Sequence, residues 1–499
     1  MLNQWRLKSL FIILFALTSF AFADQTWNRA SVEPFSPGEL AIIKRYLFNN
    51  IATDEHVFIK EGDGRIIRSM PGAVLASPYS RYPSFIQDYQ FHWIRDAAIT
   101  MQEVTYLYTQ ASPNERQRLK PYLINYINFE RQAQKQGSKN GEVLGEPKYN
   151  IDGTLWQGQW GRPQNDGPAL RAIAMINIAQ VFIQEGQEKY VRDVLLDVIT
   201  TDLDYVLARF GYYTFDLWEE LSDQDHFFTK MVQRKALTSG ASLVRRFGDE
   251  KRADSYLNTA NHITESLQKH WHAGRGYIAE TIHQQDHRGG GMDSSIILGV
   301  LYGDLNDLDI PFSVHDDRVM SSVYFIRNAF TGLYRINISH ANQPPLLGRY
   351  PNDVYDGNQS TYGNPWVITT NALAQYYYTL ANTYLKLGKI SVTNNNLLFF
   401  KQINPKLVDK EEDILFSVSP SRFYAIINHL IEEGDKTLFA IKRYANCYVD
   451  SSCFHFSEQI DRTSGQQTSA KDLTWGYATI LTAMQTRLAA EDRNAERNS

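Results

Sequence analysis

The stretch NPWVITTNALAQYYYTLANTYLKLG, residues 364–388, decides the fold class. Asn364 and Pro365 are typical of the capping position and first turn of a helix, and Gly388 is typical of a helix end. The segment between them is apolar around most of its circumference, as expected of a helix that is buried on most sides. The sequence therefore predicts a long buried helix that follows a loop of polar and aromatic residues.

The same pattern, a loop rich in aromatic, amide and acidic residues followed by an apolar helix, occurs six times. The segments are HWIRDAAITM from His92, NDGPALRAIAMI from Asn165, HFFTKMVQRKAL from His226, GMDSSIILGVLYG from Gly291, NPWVITTNALAQYY from Asn364 and KDLTWGYATILTAM from Lys471. Most intervals have room for one buried and one covering helix, since mean helices have about 11–12 residues. We therefore predict an all-α fold in which inner helices form a toroid and outer helices cover it. The alternative is an irregular all-α protein whose helices share generic capping residues.

The charge balance and the lack of linkers limit the possible partners and the domain count. The chain carries 55 acidic and 50 basic side chains, a net charge of −5. Because nucleic-acid binding relies on a surplus of basic side chains, we expect no nucleic-acid partner. No stretch rich in Gly, Ser, Thr or Pro divides the chain, and residues 388–419 are interpreted as an exposed excursion. We therefore expect a single domain over residues 24–499.

The N-terminus has the pattern of an export signal. Arg6 and Lys8 precede an apolar run, Leu10–Phe20, and Ala21-Phe22-Ala23 supplies the small residues at which signal peptidase cuts. A membrane anchor is the alternative, but spanning a bilayer takes about 20 apolar residues. The sequence predicts a signal peptide over residues 1–23 and a mature protein that is secreted, to a periplasm or the cell exterior, and does not contact the membrane.

Cys447 and Cys453 are the two cysteines of the chain. In an exported protein we expect a disulfide between them. A structural metal site would need four ligands at a recognisable spacing, and the sequence contains no such cluster of histidine and cysteine. We therefore expect neither a metal nor another cofactor, with a calcium ion as the open alternative.

Three loops are unusually rich in groups that can carry chemistry. Residues 88–96 place an Arg-Asp pair beside aromatic residues, residues 157–166 contain a tryptophan flanked by glycines, and residues 215–220 end in Trp218-Glu219-Glu220. An adjacent carboxylate and an apolar neighbour raise the pKa of a desolvated carboxyl group, as a general acid requires. The alternative for Glu219-Glu220 is a solvated surface pair.

Glycoside hydrolysis without a metal needs a second carboxylate on the other side of the scissile bond. Glu458, in the segment 456–465, precedes the sixth apolar helix and is our candidate, with Asp461 as the nearby alternative. Competing chemistries lack their motifs, because the sequence contains no G-x-S-x-G, no H-E-x-x-H, no Walker loop and no dinucleotide fingerprint.

Five long motifs, in order, resemble those of glucoamylases, glycoside hydrolase family 15. They are HWIRDAAITM, LGEPKYNIDG with GQWGRPQNDGPALRA, FDLWEELSDQDHFFTKMVQRKAL, LLGRYPNDVYDG with YGNPWVITTNALA, and FSEQIDRTSG with SAKDLTWGYA. The resemblance runs from about Glu39 to Thr486 and implies an (α/α)6 barrel, in agreement with the six segments. It implies an exo-acting, inverting glucan 1,4-α-glucosidase that releases β-D-glucose from the non-reducing ends of starch, glycogen or maltooligosaccharides.

The resemblance also implies a role for each site residue. Glu219 would be the general acid and Glu458 the general base. The residues implied to bind substrate are Arg95 and Asp96 at the first sugar, Glu220 and Arg349 at the second, Tyr89, Trp160 and Trp366 as aromatic walls, and the Leu217 and Trp218 backbones, which bind further hydroxyl groups. We expect an α-glucan as the partner and a monomeric protein.

Two features depart from the family pattern. The sequence shows neither a Ser/Thr-rich linker nor a separate starch-binding domain, so tight adsorption to raw granules is not expected. His92 and Ile94 stand in a motif that often has Thr there, which would alter the rim of the pocket. A related α/α-barrel phosphorylase, a trehalase and a catalytically silent sugar-binding protein are the alternative functions.

Overall fold

The computed structural model describes residues 33–498, except for 63–64, 80–87, 138–143, 284–287, 306, 308, 359–360 and 449–451. The predicted signal peptide, residues 1–23, lies outside the described residues and stays a prediction. Within the described ranges, none of the helices combines the length and the apolar character that crossing a membrane requires.

Twelve helices account for the architecture of the described residues. In chain order they are α1 (Pro37–Asn49), α2 (Ile94–Gln110), α3 (Pro113–Ala133), α4 (Asp166–Gln184), α5 (Leu196–Arg209), α6 (Phe227–Arg246), α7 (Glu250–Leu267), α8 (Ser295–Tyr302), α9 (Asp317–Thr331), α10 (Val367–Leu387), α11 (Pro420–Lys442) and α12 (Thr474–Asn498). Shorter helical segments are Glu188–Tyr190, the π-helical Val191–Leu195, Arg335–Ile338 and Leu397–Ile403.

The even-numbered helices form a closed inner ring. Each contacts the next along the chain, and α12 returns to contact α2. Each odd-numbered helix packs outside one inner helix: α3 on α2, α5 on α4, α7 on α6, α9 on α8, α11 on α10, and α1 on α12. The inner helices begin in the six predicted segments, so the all-α fold and the (α/α)6 barrel are confirmed.

Short antiparallel pairs of strands shape the loops between the helices. They are β1 (Ile59–Gly62) with β2 (Arg65–Arg68), β3 (His92–Trp93) with β4 (Lys148–Tyr149), β5 (Thr214–Phe215) with β6 (Ser222–Asp223), β7 (Trp271–His272) with β8 (Tyr277–Ile278), β9 (Lys389–Val392) with β10 (Glu412–Leu415), β11 (Asn446–Cys447) with β12 (Cys453–His455), and β13 (Gln459–Ile460) with β14 (Gln467–Thr468). The pairs β3–β4, β5–β6 and β13–β14 lie in loops that lead into inner helices.

The sequence explains why the inner helices pack so closely. α4 and α10 are buried along nearly their whole length, as their apolar circumference predicts. Gly240 lets α6 approach α5, because a Cβ atom there would lie 2.2 Å from Cδ1 of Leu203. Gly388 ends α10 in the left-handed conformation, with φ 67°, as the sequence predicts.

Two local predictions are wrong. Asn364 does not cap α10; its Nδ2 donates to Gln459 Oε1 at 3.1 Å and its Oδ1 accepts from the Arg462 amide at 3.1 Å. Its side chain therefore joins two loops instead of satisfying the helix end. The excursion 388–419 is not simply exposed, since β9 pairs with β10 and the side chains of Phe399 and Phe400 are buried.

The predicted disulfide between Cys447 and Cys453 is present. It joins β11 to β12, where the two cysteines are directly opposite in the register. The bond therefore closes a small hairpin and plays no part in closing the ring of helices.

A buried charge network joins the inner ring to its cover. Arg171 of α4 donates to both oxygens of Asp202 on α5, at 2.8 and 2.6 Å, and to Glu130 of α3 at 3.0 Å. Glu130 also contacts His92 Nε2 at 3.0 Å, and all four side chains are completely buried. Because neither carboxylate reaches water, Arg171 is the counter-charge on which their burial depends.

We expect Arg171→Met to destabilise the fold by about 3–5 kcal/mol, because it leaves buried carboxylates without their partner. Thermal unfolding followed by circular dichroism would measure the loss. Arg245→Met is the matched control, since Arg245 pairs with Glu250 at 2.8 Å on the exposed surface and should change the transition little. Equal transitions for the two variants would contradict a structural role for the network.

Candidate active site

A central cavity of about 210 Å³ lies where the loops enter the inner ring. It is lined by residues at the starts of α2, α10 and α12 and by the loops between the helices. All of the predicted site residues line it: Tyr89, Arg95, Asp96, Trp160, Leu217, Trp218, Glu219, Glu220, Arg349, Trp366 and Glu458. Its volume is below the 300–1,000 Å³ of most small-molecule pockets, so it suits the end of a ligand rather than a long segment.

The prediction missed part of the cavity wall. Trp93, Tyr355 and Trp475 contribute rings, and Ala76, Ile368 and Leu473 contribute apolar side chains. Trp93, Tyr355 and Trp475 stand inside motifs that the sequence analysis singled out, so their aromatic character was the available signal. Ala76 belongs to none of those motifs and had no such signal.

Glu219 sits in a tight turn between β5 and β6, in the left-handed region with φ 67°. This conformation is costly for a residue with a side chain and persists only where the surroundings enforce it. The Asp216 carboxylate accepts from the amides of Trp218, Glu220 and Leu221, at 3.2, 2.8 and 2.7 Å. Asp216 is therefore the template of the turn that presents Glu219 to the cavity.

Asp216 keeps its charge in spite of complete burial. Burial acts to raise its pKa, but the Arg288 guanidinium that pairs with it and the nearby His226 lower the pKa to about 2. An ionised carboxylate accepts amide hydrogen bonds more strongly than a neutral one. The turn is therefore held by a group that stays anionic through the neutral range.

Three N–H donors surround the carboxyl group of Glu219. Its Oε1 accepts from Trp93 Nε1 at 2.9 Å and from an Arg95 nitrogen at 2.5 Å. Its Oε2 accepts from Trp160 Nε1. The two oxygens are thereby distinguished, because a guanidinium holds one, whereas an indole is the hydrogen-bond donor that the described residues give the other.

The surroundings of Glu219 differ from those that the sequence suggested. Glu220 is not an uncompensated neighbour, since Arg288 lies 2.9 Å from Oε2 and Arg349 lies 2.8 Å from Oε1. The indole of Trp218 donates to Asp293 at 2.9 Å. Repulsion from Glu220 is therefore offset, and charged and aromatic donors dominate the environment of Glu219.

Glu458 faces the same cavity from the loop before β13. Its Oε1 accepts from the Tyr89 hydroxyl at 3.1 Å, and its Oε2 accepts from Ser469 and from Gln459 Nε2, the latter at 3.2 Å. Burial raises the pKa of Glu458 to about 7, against the opposing effect of the Ser469 and Tyr89 hydrogen bonds. The side chain is a buried carboxyl group that can exchange a proton near neutral pH.

Asp461, the alternative to Glu458, lies outside the central cavity. Its Oδ1 accepts from the amides of Thr463 and Ser464, at 3.0 and 2.7 Å, and so stabilises its own turn. Those hydrogen bonds help to hold its pKa below the usual value, although burial acts to raise it. The geometry favours Glu458 as the second carboxyl group of the site.

Arg95 and Asp96 leave polar atoms unsatisfied at the cavity. Arg95 is anchored to Asp166 at 3.1 Å and to Gln164 at 3.2 Å. Arg95 Nε and Asp96 Oδ2 face each other at 3.6 Å as an ion pair, and neither they nor Trp366 Nε1 has a hydrogen bond within the described residues. Buried polar atoms are usually paired, so these residues of the cavity wall have hydrogen-bonding capacity that the described residues leave unused.

Arg349 forms the other charged wall of the cavity. It donates to both oxygens of Asp353, at 2.8 and 2.6 Å, and its third nitrogen reaches Glu220. The guanidinium lies 5.7 Å from the ring centre of Trp218 and 5.3 Å from that of Trp366. The carboxylates and the rings leave Arg349 little freedom to move.

The expected effect of His92 on the rim is wrong. His92 is completely buried, and its Nδ1 accepts from the Val74 amide at 3.0 Å. Its Nε2 is therefore the protonated nitrogen, which donates to Glu130 behind the cavity. Ile94 is likewise buried in the core and does not form the rim.

In the part of the chain that the structure describes, one group of side chains has the spacing of metal ligands. Asp223, Asp225 and His283 offer ligand atoms that lie within 4.8 Å of one another. Lys230, however, forms an ion pair with Asp225, and His283 Nδ1 lies 2.8 Å from Asp223. The group is already internally paired and lies apart from the central cavity.

Comparisons with known proteins agree with this geometry. The sequence model of Glycosyl hydrolases family 15 matches residues 58–485. A glucoamylase from Blastobotrys adeninivorans is 33% identical over 93% of this chain and 72% of its own length. A probable glucoamylase from Schizosaccharomyces pombe is 31% identical over 93% of both chains.

Solved structures give the same result. The glucoamylase of Hypocrea jecorina superposes with a TM-score of 0.79 at 30% identity, over 90% of this chain and 71% of its own. The glucoamylase of Saccharomycopsis fibuligera superposes with a TM-score of 0.77 at 29% identity, over 93% and 99% of the two chains. Since the family match covers most of the chain and the fold agrees, the chain belongs to glycosyl hydrolases family 15 and is a glycoside hydrolase of the glucoamylase type.

Proposed function

We propose that this chain removes single glucose units from the non-reducing ends of α-1,4-linked glucans, with inversion at the anomeric carbon. Glu219 is the general acid and Glu458 the general base. The observation that carries the proposal is that both carboxyl groups line one small cavity while each is held by its own set of donors. Two carboxyl groups on either side of a glycosidic bond are what inverting hydrolysis requires.

The hydrogen bonds of Glu219 indicate which of its oxygens delivers the proton. Oε1 is occupied by Trp93 and by the Arg95 guanidinium, which would oppose an O–H group there. Oε2 accepts from the Trp160 indole, at the partly exposed side of the site, and no cation of the described residues is paired with it. The proton for the leaving oxygen therefore sits on Oε2, and Trp160 orients that oxygen toward the bond.

Glu458 combines two properties of a general base. Tyr89, Ser469 and Gln459 donate to its oxygens and favour the carboxylate before reaction. Burial favours the neutral acid that forms when Glu458 takes a proton from water. Glu458 is therefore a carboxylate that accepts a proton readily.

The unsatisfied atoms and the paired charges divide the cavity into two binding regions. Arg95, Asp96 and Trp366 each have a polar atom without a hydrogen bond, which suits the hydroxyl groups of the terminal glucose. The backbones of Leu217 and Trp218 line the same cavity and bind hydroxyl groups too. Arg349 and Glu220 form an ion pair at the cavity wall, which suits the second sugar. A sugar that lacks the matching hydroxyl groups would leave buried polar atoms unpaired and bind weakly.

The proposal includes export of a monomeric enzyme that acts on starch, glycogen or maltooligosaccharides outside the cytoplasm. The disulfide Cys447–Cys453 supports export, because disulfides persist in oxidising compartments. The predicted signal peptide, residues 1–23, directs this export.

We expect Glu219→Gln and Glu458→Gln each to lower kcat by about two to four powers of ten, because each removes a proton-transfer group. Steady-state release of glucose from maltoheptaose would measure the loss. Asp461→Asn is the matched control, since this carboxylate lies outside the cavity, and it should retain near wild-type kcat. Activity that survives in either glutamine variant would remove that residue from its role.

We expect β-glucose as the first product of maltoheptaose cleavage, with maltohexaose as the only early partner product. A water molecule that attacks opposite the leaving group inverts the anomeric centre. Proton NMR in the first minutes, before mutarotation, resolves the two anomers. Early α-glucose would contradict inversion, whereas a mixture of short oligosaccharides would contradict attack from the chain end.

We expect Ser469→Ala to move the acidic limb of the kcat/KM profile upward by about 0.5–1 pH unit. The base must be ionised, so activity is present above the pKa of Glu458 and is lost as pH falls through it. Removing a donor that lowers this pKa raises it further, so activity is lost at a higher pH. Ser464→Ala, which affects only the Asp461 turn, is the control, and equal acidic limbs in the two variants would contradict Glu458 as the base.

A further inference from the structure

Lys148 is a buried lysine enclosed by aromatic rings. Its Nζ lies 3.5 Å from the ring centre of Trp160, 4.0 Å from that of Trp93 and 4.2 Å from that of Trp156. Phe91 lies on a further side, 4.8 Å away. The residue is only 1% exposed, so these rings replace the water that would normally surround an ammonium group.

No hydrogen-bond acceptor in the described part of the chain compensates the ammonium group of Lys148. Lys60, which also approaches Phe91, provides the contrast: its Nζ contacts Asp88 at 2.8 Å and the Gln90 carbonyl at 2.9 Å. Lys60 thus forms an ordinary ion pair with Asp88, whereas the ammonium group of Lys148 contacts the faces of aromatic rings. A lysine in this environment needs an explanation other than structural pairing.

The rings around Lys148 lead directly to Glu219. Trp93 donates its indole N–H to one oxygen of Glu219, and Trp160 donates to the other. Trp93 and Lys148 are also directly opposite in the β3–β4 register, which fixes the lysine behind the indole. Lys148 therefore lies against two of the donors that hold the carboxyl group.

The remaining charges near Lys148 are paired among themselves. Lys60 is paired with Asp88, and Arg162 with Glu146 at 2.6 Å. Arg95 contacts Glu219 directly and is shared with Asp166 and Asp96. The charge of Lys148 is thus left to act on Glu219 across the two indoles.

We propose that Lys148 is a positioning residue for the catalytic acid: its charge, held behind the two indoles of Trp93 and Trp160 that donate to Glu219, sets the upper pH limit of hydrolysis. The proposal rests on the proposed function, in which Glu219 is the acid. A cation close to a carboxyl group favours its ionised form, and an acid that loses its proton at lower pH stops working at lower pH.

The charge of Lys148 depends on pH. Burial lowers the pKa of Lys148 to about 7, against the opposing attraction of Glu219. The ammonium is therefore present in the acidic range and is lost as pH rises through neutrality. Replacing the lysine by a neutral side chain removes the charge at every pH, whereas arginine keeps it.

The experiment compares pH profiles of kcat/KM on maltoheptaose for wild type, Lys148→Met, Lys148→Gln and Lys148→Arg. We expect the basic limb to move upward by about one pH unit in both neutral variants. In Lys148→Arg it should stay at the wild-type position or move downward. The glutamine variant provides the test should the methionine variant not fold, and thermal unfolding shows which variants are folded.

Lys60→Met is the matched control, because it removes another buried lysine that contacts Phe91 without removing the charge behind the indoles. Its basic limb should stay in place. An upward shift shared by the neutral variants and Lys148→Arg, or a folded neutral variant with the wild-type limb, would overturn the proposal. A uniform loss of kcat/KM at every pH would assign Lys148 a packing role only. Each of these results leaves the separate test of Glu219 by Glu219→Gln untouched.

Discussion

Closure of the inner ring is the constraint from which the rest of the structure follows. Helices α2, α4, α6, α8, α10 and α12 contact neighbours on both sides, and α12 meets α2. A helix in such a ring must be apolar on most of its surface, which leaves the connecting loops as the place for polar side chains. Because the loops before successive inner helices meet at one end of the ring, residues far apart in sequence, such as Arg95 and Glu458, line a single cavity.

Within this frame, charge compensation separates structural groups from functional ones. Arg171 has its hydrogen-bonding nitrogens matched to Glu130 and Asp202, and Arg349 is matched to Asp353. Arg95, in contrast, has no hydrogen bond at Nε, which lies 3.6 Å from an oxygen of Asp96 that also has none. Folding alone gives no reason to bury unpaired polar atoms, since each costs about 1–3 kcal/mol. In the described part of the chain such atoms also occur away from the cavity, for example at Tyr126 and Thr229, and at the cavity they belong to Arg95, Asp96 and Trp366.

Much of the fold and of the candidate site could be predicted from the sequence, because repeated segments and neighbouring residue types can be recognised locally. The six loop-to-helix segments predicted the ring of helices. The three loops rich in charged and aromatic residues identified Arg95, Trp160 and Glu219 as candidate site residues. Features that depend on contacts across the fold left no such trace. Asn364 has the chemistry of a helix cap but bonds Gln459 instead, and the Arg288 that neutralises Asp216 comes from a distant loop. Nothing in the sequence around Lys148 indicated its environment, since the rings that enclose it come from two other segments, residues 91–93 and 156–160.

The carboxyl groups of Glu219 and Glu458 lie in different surroundings. The residues adjacent to Glu219 in the sequence do not indicate this difference. In the proposed mechanism Glu219 begins neutral and ends charged, and it lies among Trp93, Arg95 and Trp160, whose N–H groups meet the developing charge. Glu458 begins charged and ends neutral, and its burial favours that neutral form. Each environment thus stabilises the state that follows proton transfer. Interactions of this kind strengthen along the reaction, and only such interactions lower its barrier.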